Sequence, residues 1–303
     1  MVKAKHNPER RAAPWSRFAW HGWQLEIPAN WNPVVLSGDG RRGSAVLADL
    51  ESARLELTWV PWPGRNAPRL DRSVKRQLAA MDDAAIRPAD HWPLRDTFAD
   101  AVELICEAPE EVRLVCNSPI SRRALIVRFS PYGLDDREAV MYRVAAALDD
   151  SSDREMIPWS VYGFHLATPR AFTLSASRLQ TGGAYLSFRV DRSELVRFAR
   201  VAAAGRLGDG VGPVDLMDRL EHRSRRGYTW HDDDPIVHRD HEVTLRNGVR
   251  PGWSRLRPRN QRHIRTATWQ CPKEDRVFEV MRMASRPDDG RVVELLSHVL
   301  CHG

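Results

Sequence analysis

A short run of histidine and aspartate side chains is the part of the sequence whose residue types could support catalysis. This run includes His231, Asp234, His238 and His241. Imidazole and carboxylate groups are common ligands of divalent metals, so one hypothesis is a metal-dependent enzyme that uses the His231–His241 segment. The spacing matches no established zinc-protease or two-metal pattern. We therefore predict a solvated polar loop here, followed by a strand, and no metal ligands.

The densest positive charge lies between residues 246 and 265, which include seven Arg, one His, one Trp and no acidic residue. Glycine and proline residues within this stretch predict a loop. Guanidinium groups neutralise phosphates and an indole ring can stack on a base, so the loop could bind a nucleic acid or another polyanion. The alternative interpretation is a solvated insertion that balances nearby acidic residues. The candidate binding residues are Arg250, Trp253, Arg255, Arg257, Arg259 and Arg262.

The usual catalytic motifs are missing from the sequence. It contains no G-x-S-x-G elbow, no G-x-x-x-x-G-K-[ST] phosphate loop and no C-x-x-C pair. The lack of a C-x-x-C pair makes a structural zinc ribbon unexpected. Because the sequence shows no secretion signal, the four cysteines, Cys106, Cys116, Cys271 and Cys301, are expected to be reduced and mostly buried thiols. These observations predict no cofactor and favour a non-enzymatic protein over an enzyme.

Two segments of the chain share a pattern of aromatic, glycine, leucine and proline residues. The second copy follows the first at a constant offset, and each copy reads as a strand that ends at a proline, which cannot donate to a sheet. The first copy consists of Phe18, Gly22, Trp23, Leu25, Pro28 and Trp31, and the second consists of Trp159, Gly163, Phe164, Leu166, Pro169 and Phe172. The repetition predicts an internal duplication of the chain.

Further elements follow in the same order in both halves. Residues 44–60 and 184–201 each read as two strands, and residues 101–130 and 241–284 each read as three strands. Amphipathic helices are predicted between these groups of strands and at the end of each half. Each half is thus predicted as β-β-β-α-β-β-β-α.

This element order, together with the opening G-[WF]-x-L-x-x-P-x-x-[WF], resembles the fold shared by the photosynthetic PsbP family and the Ran-binding Mog family. The resemblance implies an α+β class, with two similar domains that are each a mainly antiparallel sheet flanked by helices, an α/β/α sandwich. Members of these families act mainly as binding or assembly factors. We expect a disordered basic tail over residues 1–14, a first repeat over 15–152 and a second repeat over 153–303.

The composition excludes several classes of protein. Of the 303 residues, 42% are hydrophobic and 28% are charged, which is far from the composition of a disordered chain. No apolar run approaches the roughly 20 residues that cross a bilayer, and the N-terminus lacks the apolar core of a signal peptide. The sequence therefore predicts a cytoplasmic protein that binds a protein partner, with nucleic acid as the alternative partner and no membrane association.

If the Arg-rich loop binds polyanions, the affinity should depend steeply on salt. With about four to six arginines engaged, the slope of log affinity against log salt should be roughly −3 to −5, measured with single-stranded DNA. Replacing Arg250, Arg255, Arg257, Arg259 and Arg262 by Gln should abolish this binding and preserve folding. Undetectable binding of single-stranded DNA, RNA and other polyanions at low salt would contradict the nucleic-acid interpretation.

Overall fold

The computed structural model of the chain describes residues 14–61, 85–107, 110–130, 136–180, 182–202, 211–250 and 261–301. The chain divides into two compact units, Met1–Gly163 (unit 1) and Phe164–Gly303 (unit 2). Among the helices of the described ranges, none is long and apolar enough to cross a membrane.

Unit 1 contains a small and a large antiparallel sheet. The small sheet consists of β1 (Trp15–Trp20), β2 (Trp23–Pro28), β10 (Asp149–Asp150) and β11 (Met156–Val161), in the order β10-β2-β1-β11. The large sheet consists of β3 (Asn32–Gly38), β4 (Gly43–Ala48), β5 (Ala53–Pro61), β6 (Ala85–Pro88), β7 (Asp100–Glu107), β8 (Glu110–Ser118) and β9 (Arg123–Phe129), in the order β3-β4-β5-β9-β8-β7-β6. Helix α1 (Arg137–Ala147) packs against β2.

Unit 2 is built around one large antiparallel sheet. Its strands are β13 (Thr173–Gln180), β14 (Gly183–Arg189), β15 (Leu195–Ala202), β16 (Thr229–Asp232), β18 (His241–Val249), β19 (His263–Cys271) and β20 (Arg276–Ala284), in the order β13-β14-β15-β20-β19-β18-β16. Strand β17 (Ile236–His238) pairs with β18, and β12 (Phe164–Pro169) pairs with β21 (Val299–Leu300). The helices of this unit are α2 (Pro213–Leu220), α3 (His222–Arg225) and α4 (Arg291–Leu296).

The sheets form because apolar and polar residues alternate along the strands. In β5, Leu55, Leu57 and Trp59 are buried, whereas Glu56 and Thr58 between them are less enclosed. Successive side chains of a strand point to opposite faces, so this alternation gives the sheet one well-buried face. Strands β5 and β9 lie side by side within the large sheet of unit 1, as β15 and β20 do in unit 2.

The predicted α+β class is wrong, because strands dominate the described residues and the four helices there are short. Two local causes reduce the helical content of unit 2. The C-terminal residues Val299 and Leu300 pair with β12 as a strand, so α4 is shorter than the helix predicted there. The helix predicted between the two groups of strands in the second half breaks at Glu221 into α2 and a single further turn. In unit 1, residues of the small sheet and its turn contact the large sheet, as His21 does with Trp59.

The two large sheets share the same succession of strands. Each begins with an edge strand that is interrupted by a register shift, between Pro33 and Val35 in β3 and between Leu174 and Ala176 in β13. Strand β11, which the sequence assigns to the second repeat, pairs with β1 inside unit 1. Internal duplication and a domain boundary after residue 152 stay predictions.

Aromatic rings join the small and large sheets of unit 1. Trp20 of β1 and Trp159 of β11 meet at 5.3 Å between ring centroids, and His21 lies 5.2 Å from Trp159 and 5.9 Å from Trp59 of β5. The contact that spans the two sheets is the tilted one between His21 and Trp59, whose ring planes meet at 47°. The rings therefore fix the small sheet to β5.

The buried side chain of Arg123, at the start of β9, binds the backbone of two turns next to the contact between the sheets. Its guanidinium donates to the carbonyl oxygens of His21 at 3.1 Å and Gly40 at 2.9 Å. It also pairs with Asp150 at 3.3 Å and lies over the Trp23 ring at 4.3 Å. Because moving either turn would leave buried guanidinium donors of Arg123 without their acceptors, these contacts hold the β1–β2 and β3–β4 turns in fixed positions.

The leucines of the shared sequence pattern should contribute strongly to stability. Leu25 in β2 and Leu166 in β12 are both buried. Replacing either by Ala should lower the free energy of unfolding by about 2–5 kcal/mol, measured by urea denaturation, because the change removes buried methyl groups and leaves a cavity. The matched control is Leu50→Ala, since Leu50 is fully exposed. A loss as small as that of the control would contradict the observed packing.

His21 should make the protein sensitive to acid. Burial, with a further effect from the neighbouring Arg123, lowers the pKa of His21 from 6.5 to about 4. Between these values the unfolded chain binds a proton that the folded chain does not, so the free energy of unfolding decreases as the pH falls. Between pH 7 and pH 4, the free energy of unfolding should fall by up to about 3 kcal/mol less in His21→Asn than in the wild type, measured by urea denaturation. Parallel pH profiles for the variant and the wild type would contradict the assignment.

Candidate functional site

Only two of the six residues proposed for the Arg-rich loop lie in the described part of the chain. The guanidinium of Arg250 donates to the carbonyl oxygen of Arg226 at 3.1 Å and lies over the ring of Tyr228 at 4.3 Å. Arg262 is exposed, and its carbonyl oxygen accepts the backbone N–H of Arg250 at 2.9 Å. The four remaining residues, Trp253, Arg255, Arg257 and Arg259, lie outside the described residues.

Arginines at the ends of this stretch pair with acidic residues of the same chain. Arg246 lies 2.8 Å from both Asp218 and Asp232, and Arg265 lies 3.1 Å from Asp233. These ion pairs neutralise part of the positive charge that the sequence pattern displays. The nucleic-acid interpretation stays a prediction, and it rests on the residues between Arg246 and Arg265.

The residues of the metal-enzyme hypothesis do not form one ligand group in the part of the chain that the structure describes. His231 on β16 and Asp234 after it are exposed, and His238 ends β17. His241 faces His238 across a tight hairpin, but its side chain is buried. The hairpin therefore separates the buried histidine from the exposed members of the run.

His241 instead lies beside two cysteines that sequence spacing does not connect with it. The possible ligand atoms of His241, Cys271 and Cys301 all lie within 4.8 Å of one another, and His241 Nε2 is 3.2 Å from Cys301 Sγ. All three residues are buried. Burial, followed by the neighbouring Cys271, raises the pKa of the Cys301 thiol. The group is a compact set of nitrogen and sulfur atoms inside unit 2.

The outer strand β3 of unit 1 exposes apolar side chains. Strand β3 pairs with β4 and with no other described strand. The exposed fractions of Val34 and Val35 are 60% and 47%. Tyr162 donates its hydroxyl to the carbonyl oxygen of Pro33, so the uncovered part of this edge begins at Val34. We call Val34–Gly38, together with the β3–β4 turn, the β3 edge surface.

Buried contacts hold the β3–β4 turn in place from below. The indole N–H of Trp59 donates to the carbonyl oxygen of Asp39 at 2.8 Å, and Arg123 holds that of Gly40. The Asp39 carboxylate accepts the backbone N–H groups of Arg42 at 3.0 Å and Arg41 at 2.7 Å, and these bonds lower its pKa. Both arginine side chains remain exposed. The turn is therefore a rigid support that presents two positive charges at the opposite end of β3 from the exposed valines.

The outer strand of the large sheet of unit 2 has a different surface. Strand β13 carries Ser175, Ser177 and Arg178 on its exposed positions. Arg178 lies over the ring of Tyr185 at 4.2 Å and pairs with Glu221 at 3.6 Å. Polar and charged side chains discourage pairing with another chain at a sheet edge. Strand β13 is thus protected in a way that β3 is not.

Comparisons with known proteins leave the family of this chain undetermined. No protein-family model and no curated protein matches the sequence. Among solved structures, the chain is similar to the immunity protein TplEi of T6SS from Pseudomonas aeruginosa, which was solved in complex with "L" peptide. That similarity has 12% sequence identity and a TM-score of 0.36, and it covers 94% of this chain and 95% of the other. A similarity of this size carries no functional conclusion.

Proposed function

We propose that this chain is a non-enzymatic binding protein that recognises an extended segment of a partner protein at the β3 edge surface. The observation that carries the proposal is the exposure of two adjacent valines on an edge strand. An edge strand offers unpaired N–H and C=O groups, and an extended peptide can add to it as a further strand. Apolar side chains of such a peptide would cover Val34 and Val35.

The charge of the turn indicates the chemistry of the partner. The side chains of Arg41 and Arg42 are exposed at the β3–β4 turn. Arginine pairs with carboxylates through two parallel hydrogen bonds. The partner segment should therefore combine apolar residues opposite the valines with an acidic residue near the turn.

Rigidity supports the same assignment. Trp59 and Arg123 hold the backbone of the turn through buried hydrogen bonds, so the surface does not need to become ordered when a peptide binds. A surface that is already ordered loses less conformational entropy on binding, which favours affinity. The Tyr162 hydroxyl occupies the carbonyl oxygen of Pro33, so the added strand should lie between Val34 and Gly38.

The experiment selects peptides from a random displayed library on the immobilised full-length protein. Selected peptides are synthesised, and their affinities for the wild type and for Val34→Lys are measured by calorimetry. We expect the peptides to contain alternating apolar residues and an acidic residue, and Val34→Lys to weaken binding at least tenfold, or about 1.4 kcal/mol. Arg41→Glu/Arg42→Glu should weaken the same peptides.

The matched control is Val237→Lys, which makes the same change at an exposed valine of β17 in unit 2. This variant should bind the peptides as the wild type does. Circular dichroism and thermal unfolding check that each variant keeps its fold. Peptides that bind Val34→Lys as tightly as the wild type, or a library from which no peptide is enriched, would refute the proposal.

A further inference from the structure

We propose that His241, Cys271 and Cys301 form a binding site for one zinc ion inside unit 2. The site is independent of the β3 edge surface, which belongs to unit 1. No motif spacing in the sequence identifies it, because its ligands are far apart along the chain: His241 and Cys271 lie on two strands and Cys301 follows a third.

The distances between the ligand atoms suit a tetrahedral ion. Zinc binds cysteine sulfur at about 2.3 Å and histidine nitrogen at about 2.0–2.1 Å, so neighbouring ligand atoms of a tetrahedral site lie roughly 3.5 Å apart. The His241 Nε2 to Cys301 Sγ distance is 3.2 Å, and the three ligand atoms lie within 4.8 Å of one another. Small side-chain rotations would bring all three to bonding distance of a common centre.

The chemistry of the donors selects the metal. Two thiolates and one imidazole form a soft-to-borderline set, which suits zinc and excludes magnesium or calcium, since those ions prefer oxygen ligands. The group contains no carboxylate. Three protein ligands leave a fourth position for water, as in other three-ligand zinc sites.

Regular elements of unit 2 position the ligands. His241 begins β18, Cys271 ends β19, and Cys301 follows β21. In the pairing of β18 with β19, Thr244 lies opposite Thr268. If the same register is continued three residues further along each strand, Cys271 lies opposite His241. Ligands on paired strands are held more precisely than ligands on loops, so the ion would not need to order the chain in order to bind.

A second contact brings the C-terminal segment to the same hairpin. Arg239 and Asp240 form the β17–β18 turn with positive φ angles of 48° and 63°. The Arg239 guanidinium donates to the carbonyl oxygens of Ser297 at 2.9 Å and Val299 at 3.1 Å. The turn therefore holds the segment before Cys301 near His241. A zinc ion bound by Cys301, His241 and Cys271 would link this segment to the large sheet through coordination bonds.

The experiment measures zinc in the purified full-length protein. The protein is reduced, loaded with zinc and freed of excess metal, and its zinc content is determined by mass spectrometry. We expect about one zinc per chain in the wild type and near-complete loss in Cys271→Ala and in Cys301→Ala. Cys116→Ala is the matched control, because Cys116 is an equally buried cysteine of unit 1, and it should keep the zinc.

Two further measurements keep the test decisive if a variant does not fold. Cobalt added to the metal-free wild type should give the charge-transfer absorption of thiolate–cobalt bonds. Zinc should also raise the Tm of the wild type and slow the alkylation of Cys271 and Cys301, but not of Cys116, in mild denaturant that lets the buried thiols react. Absence of stoichiometric zinc, zinc retained in both cysteine variants, or a Cys271–Cys301 disulfide in the zinc-treated protein would overturn the proposal.

Discussion

An antiparallel sheet that does not close on itself leaves two strands with one side of their backbone unpaired, and natural proteins must protect or use those edges. In unit 1 the edges of the large sheet are β3 and β6, and in unit 2 they are β13 and β16. Strand β13 presents polar groups and an arginine that is engaged within the chain. Strand β3 presents two valines instead. The contrast between two edges of equivalent position is the basis for assigning binding to β3.

The interior of unit 1 determines where that edge lies. The contacts of His21 with Trp59 and Trp159 join its two sheets, and Arg123 holds the backbone of the turn that follows β3. The same buried groups that stabilise the unit therefore also position the binding surface. Changes in this interior should affect stability and binding together, whereas changes at Val34 should affect binding alone. Unit 2 uses its interior differently, because it places the side chains of His241, Cys271 and Cys301 beside one another.

Much of the strand order could be predicted from the sequence, because alternation and turn residues are local signals. The strand that ends at Pro28, its counterpart that ends at Pro169, and the strands within 44–60 and 101–130 are all observed. The α+β class was wrong because the helices are short and a second sheet, which depends on long-range contacts such as that of His21 with Trp59, packs on the large sheet of unit 1. The exposed valines of β3 were missed since hydrophobicity alone predicts burial. The His241, Cys271 and Cys301 group was missed because these residues are far apart in the sequence and only the folded chain brings them together.

Amide hydrogen exchange of the full-length protein, with and without a selected peptide, tests the central assignment most directly. In the protein alone, amides of β3 that point away from β4 should exchange rapidly, because the described structure pairs this strand on one side only. The peptide should slow exchange between Val34 and Gly38 and leave β13 unchanged. Protection of β13, or bound peptide without any protection of β3, would contradict the account.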